Sequence, residues 1–314
     1  MRYTLYMAPN DETVNKVVIF NYNEGNIIWQ ENDQVVMGSV LDDDYVDAPL
    51  NKLMYYSEMG ATYVIPKDNQ HIVFSTPSKE DTAPLKGRKA VYLDQNHWAA
   101  FHQAINHPET IEDKALVVAY KELLNYMFDS RIILPLSHNH ILNVSLIEDA
   151  VERDELAKFI MRMSVGWQML HPMSVLAYEY ALNVNPAVAL QIKFEPFSLE
   201  QHTHNPSLRH QFFNEVYDSE PEFVYKHMLA IASLVTMMLK SDYADILTPG
   251  IDVDTKDADY MATARKYADF VLGSDELIEV SGPQQYEYAE DKAKVYSDVI
   301  SLIEELNKEF KRNK

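Results

Sequence analysis

The chain has 314 residues, with 27 Lys+Arg against 48 Asp+Glu, a formal net charge of −21, and no cysteine. That length suits two ordinary domains, and 47% hydrophobic residues exclude global disorder. The acidity argues against a free-standing basic nucleic-acid binder, which needs clustered Lys and Arg facing phosphates. The missing cysteines remove disulfides, zinc–thiolate centres, iron–sulfur clusters and Cys nucleophiles.

The opening MRYTLYMAPNDE has no basic segment followed by an apolar one, so no secretory signal is expected. The most apolar stretch, Met228 to Leu239, is too short to span a bilayer. The expectation is a soluble, cytoplasmic protein with no membrane partner.

Residues 1–76 predict a β-rich accessory domain. Tyr3–Met7, Lys16–Tyr22, Asn26–Trp29, Gln34–Val40, Thr62–Ile65 and His71–Ser75 are short β-branched or aromatic runs. Turn-formers such as Asn23-Glu24-Gly25 and Glu31-Asn32-Asp33 separate them, and Asn51–Met59 reads as one short helix. Residues 77–88 are polar, hold two prolines and a glycine, and read as a linker.

Residues 89–314 predict an α/β domain. Lys89–Leu93, Arg131–Pro135 and Asp269–Gly273 are short strands. Helical patterns fall at 96–106, 110–128, 137–164, 172–183, 221–242, 256–268 and 286–312. Strands alternating with helices imply a small central parallel sheet with helical insertions. Most methionines, Met173 among them, read as core filler, and Trp98 and Trp167 as core aromatics.

In an open parallel sheet, functional groups collect at the carboxyl ends of the strands. Applied here, that rule selects acids. Ala90-Val91-Tyr92-Leu93 runs into Asp94, and Phe270-Val271-Leu272-Gly273-Ser274 runs into Asp275; Asp257-Ala258-Asp259 opens the helix before that last strand. Carboxylates brought together repel one another unless a divalent cation sits between them. Such clusters build Mg²⁺ or Mn²⁺ sites for phosphodiester hydrolysis. The plainer reading of an Asp after a strand is a helix N-cap, and the same holds for Gln95, Asn96 and His97 beside it.

Three stretches, in order, resemble the PIN-domain nucleases: VYLDQNHW at 91–98, ILPLSHNH at 133–140, and DADYMATARKYADFVLGSD at 257–275. The resemblance implies a PIN-like three-layer fold over residues 89–280. It also implies metal-dependent nuclease activity, with single-stranded RNA favoured over DNA, and Mg²⁺ or Mn²⁺ as cofactor. Carried over residue by residue, it assigns Asp94 and Asp275 as the first and last metal-holding acids. The third is Asp259 or Asp257; spacing does not choose between them, but Asp259 heads the apolar face better and is the one expected to be catalytic. Asn96 and Asn143 are assigned to substrate orientation. The chain departs from the family where a Glu is expected, at Asn143, which is neutral. Glu179 is the preferred substitute acid; Glu148 is second, because it lies about 140° round a helix from Asn143. The alternative reading is a catalytically weakened PIN-like interaction or scaffold protein, with residues 1–76 as its partner-binding surface.

Overall fold

The computed structural model describes residues 15–40, 48–76, 85–186, 194–199, 220–239, 253–280 and 291–311. The run at 3–7 and most of the linker at 77–88 lie outside them.

The N-terminal part is a six-stranded sheet with the order β3-β2-β1-β4-β5-β6 and every pairing antiparallel. Its strands are β1 (Lys16–Asn21), β2 (Asn26–Glu31), β3 (Gln34–Val40), β4 (Leu50–Tyr56), β5 (Ala61–Pro66) and β6 (Ile72–Ser75). Between β2 and β3, Asn32 and Asp33 have φ of 50° and 65°. Both central residues of a tight hairpin turn need positive φ, and Asn and Asp tolerate it best.

The short helix expected at Asn51–Met59 is instead β4. A register shift between Leu50 and Lys52 slips the alternation. Buried Leu50 and Leu53 are thereby left three apart, which imitates a helical period.

The C-terminal part is mixed α/β around a parallel four-stranded sheet, β12-β11-β7-β8. These are β7 (Lys89–Leu93), β8 (Ile132–Ile133), β11 (Phe270–Leu272) and β12 (Lys294–Tyr296). A small antiparallel pair, β9 (Gln168–Met169) and β10 (Phe197–Ser198), lies apart from it. Nine α-helices are found among the described residues. They are α1 (Gln95–Asn106), α2 (Lys114–Phe128), α3 (His138–Ser145), α4 (Ala150–Ser164), α5 (Pro172–Val184), α6 (Glu220–Leu239), α7 (Val253–Tyr267), α8 (Asp275–Val280) and α9 (Val299–Lys311).

Two expected helices are interrupted. The 137–164 pattern splits because Asp149 caps α4, accepting the N–H groups of Val151 and Glu152 at 2.8 and 2.9 Å. Of the 286–312 pattern, 286–290 and 312 lie outside the described residues; within the rest β12 comes first, and α9 starts only after Asp298, whose carboxylate accepts Ser301 N–H at 2.8 Å. Val295 and Val299 keep helical spacing by coincidence. Trp98, Trp167 and most of the core methionines are buried, but Met173 is exposed at 63%. No helix among the described residues is long and apolar enough to cross a membrane.

The antiparallel sheet and the α/β part share one hydrophobic cluster, from Val18, Leu53 and Phe74 to Leu93, Trp98 and Met228. Polar links cross the same boundary. Ser75 N–H donates to the Val165 carbonyl at 2.8 Å, Arg162 donates to Gln70 at 2.7 Å, and buried Lys158 pairs with Asp68 and Asp154.

Candidate functional site

Along the chain, β8 is laid down on one side of β7 while β11 and β12 are laid down on the other. The carboxyl ends of β7 and β11 therefore form a switch point, the place where ligands bind in open parallel α/β sheets. Leu93 lies beside Leu272, and Leu272 beside Tyr296, so Asp94, Ser274 and Ser297 leave the sheet along one edge.

Asp94 is 3% exposed and caps α1. Its Oδ1 accepts the backbone N–H of His97 at 2.8 Å and meets the same residue's Nδ1 at 2.7 Å. Its Oδ2 accepts the Ser274 N–H at 2.7 Å. Burial pushes the carboxyl pKa up; the hydrogen bond and charge of His97 and the two backbone N–H groups outweigh burial and hold it below the usual range. The group is therefore ionised at neutral pH. A carboxylate has about four lone-pair sites, so these three donors leave about one, on Oδ2.

Asp275 follows Ser274 directly, and chain geometry keeps its Cα within about 8 Å of Asp94 Oδ2. It is exposed and opens α8. The sequence reading missed a third acid at this edge, Asp298. The Ser301 N–H holds its pKa low against burial, and the charge of His97 acts on it too. Its signal is present in the sequence: Val295-Tyr296-Ser297-Asp298 repeats the pattern of a short apolar run closed by an acid, although the apolar spacing across 286–312 points to helix there.

The α7 acids are placed differently. Met261 packs over Gly273, where its Cε occupies the space a Cβ would need. Asp259 is half-buried and two residues earlier, about 200° round the helix from Met261, so it does not share that face. Asp257 is one turn before Met261, and its side chain lies outside the described residues.

Glu179 is buried at 3%, accepts the Tyr267 hydroxyl at 2.6 Å and pairs with Lys266 at 3.3 Å. Tyr267 is eight residues beyond Asp259, about 12 Å along α7. The structure thus seats Glu179 at the far end of that helix, beside the start of β11 rather than its end. Glu148 is exposed just before α4.

Asn143 is half-buried on α3, and that helix is tied to the site. His140 Nδ1 accepts the Ser137 N–H at 2.9 Å, and its Nε2 donates to the Leu93 carbonyl at 2.9 Å. Burial drives the His140 pKa down to about 4, against the opposing pull of the Leu93 carbonyl and Asp94, so the ring is neutral at neutral pH. Asn96 is exposed in the first turn of α1.

The structure brings Asp94, the Ser274–Asp275 turn and Asp298 to one edge and leaves Glu179 elsewhere. Among the described residues, the strand-end acids do not draw three ligand atoms within 4.8 Å of one another. Compared with protein-family models, curated proteins and solved structures, the chain matches none.

Proposed function

We propose that the chain is a PIN-like, metal-dependent nuclease that cleaves phosphodiester bonds of single-stranded RNA. The observation that carries this reading is the buried, ionised carboxylate of Asp94, held by Ser274 N–H at the sheet's switch point. The donor set is all oxygen, with a free lone pair on Asp94 and the exposed Asp275 and Asp298 beside it, which suits hard Mg²⁺ or Mn²⁺. When bound, such an ion supplies Lewis acidity and neutralises charge on the phosphate. Asp94 anchors the site by keeping its charge under burial. Asp275 keeps its carboxylate in solvent, free to turn toward Asp94, while exposed Asp298 holds one oxygen on the Ser301 N–H and has the other open. His97 fixes the orientation of Asp94 through Oδ1 and leaves Oδ2 to face Ser274.

The test is cleavage of a single-stranded RNA with Mn²⁺. Wild type is expected to cut and Asp275→Asn, an exposed change, to lose most of that activity. Absence of Mn²⁺-dependent cleavage by the wild type refutes the nuclease reading.

A second reading has its own support. Asn143 is neutral, and three of the lone-pair sites of Asp94 already serve the fold. Both facts suit a non-catalytic interaction protein with the same architecture, for which the six-stranded sheet is the partner surface.

A further inference from the structure

About 12 Å along α1 from its Asp94 cap, a second set of groups converges that the strand-end site does not use. His102 lies on α1, His107 caps the carboxyl end of that helix, and Glu155 projects from α4. One ligand atom from each lies within 4.8 Å of the other two, the sole such group among the described residues. His107 Nε2 and Glu155 Oε2 are 4.0 Å apart. We propose that these three residues bind one Zn²⁺-type transition-metal ion.

The chemistry of the donors selects the metal. Two imidazoles and one carboxylate form a borderline nitrogen–oxygen set, preferred by Zn²⁺ and its transition-metal neighbours over the all-oxygen shells of Mg²⁺. Zn–N and Zn–O bonds of about 2.0–2.2 Å place ligand atoms nearer than 4.0 Å, so a small rotation of exposed Glu155 completes the site.

Local structure holds the first ligand in advance. The His102 ring packs edge-on against Phe159 at 5.2 Å, and its buried Nε2 has no hydrogen-bond partner. Leaving the helix at its C-cap lets His107 turn back, with ring centroids 5.9 Å apart. The electrostatics also favour a dication. Glu109 lies 4.0 Å from His107 Nδ1, and both Glu152 and Glu155 act on His102. The carboxyl end of α1 adds the negative pole of its dipole. His107 and Glu155 are exposed, so water completes the shell. The ion clamps the carboxyl end of α1 to α4.

Calorimetric titration of chelator-treated full chain with ZnCl₂, in excess Mg²⁺, tests the site. One equivalent is expected to bind, and to raise the melting temperature. Glu155→Gln and His107→Ala, both at exposed positions, should each weaken binding at least about ten-fold, whereas His71→Ala on the distant sheet should not. No binding by the wild type, or undiminished binding in both site variants, overturns the proposal. Melting curves in the absence of metal show whether each variant folds.

Discussion

The carboxylate of Asp94 accepts the backbone N–H of Ser274 at 2.7 Å, joining residues 180 positions apart. The same group caps α1, so it holds both the fold and the candidate site. Asp94→Asn keeps an oxygen for the His97 N–H, but its amide nitrogen cannot accept from Ser274. Loss of one charge-assisted hydrogen bond is expected to cost about 1.5–3 kcal/mol, and Asp94→Ala more, since the cap goes too. Urea unfolding of the two variants measures both, and equal stability of Asp94→Ala and wild type would contradict it.

Gly273 lies against the end of the Met261 side chain. A Cβ there meets Met261 Cε. The end of the Met261 side chain can swing aside, so Gly273→Ala is expected to cost no more than about 1 kcal/mol, with the loss recovered in Gly273→Ala/Met261→Ala relative to the sum of the singles. A double-mutant cycle showing simple additivity would deny that contact.

The pH dependence follows from two buried histidines. Burial lowers the pKa of both His140 and His227 to about 4, from 6.5. For a base whose folded pKa is depressed, the unfolded chain takes up protons first. Stability is therefore full above pH 6.5 and is lost as pH falls toward 4, on the order of 3 kcal/mol per histidine. Melting temperature measured through that window should fall, and His227→Leu should flatten the slope. An unchanged slope in that variant would show that His227 does not titrate in this way.

Much of the fold was legible because hydrophobic period and turn residues act locally. The Asn32-Asp33 hairpin, β7 and α5 fall close to where the sequence puts them. What failed was local periodicity disguised by a neighbour. A bulge made β4 imitate a helix, and the Asp298 cap separated a strand from a helix that shared one apolar spacing. In the candidate site, Asp94 and Asp275 were legible because strand-end acids carry a positional signal. Glu179 was not, because its partners Tyr267 and Lys266 depend on how α5 crosses α7, which no short-range pattern encodes.

Lys158 secures the N-terminal sheet. It is 4% exposed, and pairs with Asp68 from that sheet and Asp154 from its own helix. Both carboxylates are over a third exposed, so water screens them once the ammonium is gone. Lys158→Ala is then expected to cost about 1–2 kcal/mol, less than a fully buried pair would. Chemical denaturation checks the value, and a loss above about 4 kcal/mol would mean that the carboxylates are effectively desolvated.

Binding of Mn²⁺ to the full chain, followed by calorimetry, tests the strand-end carboxylates most directly. Heat of binding is expected for wild type, should persist in Glu155→Gln, and is expected to vanish when Asp275→Asn is added to Glu155→Gln, which disables the imidazole–carboxylate site as a second place for Mn²⁺. No Mn²⁺ heat at millimolar concentration, or heat in the double variant equal to that in Glu155→Gln, would contradict a divalent-ion site at the ends of β7 and β11.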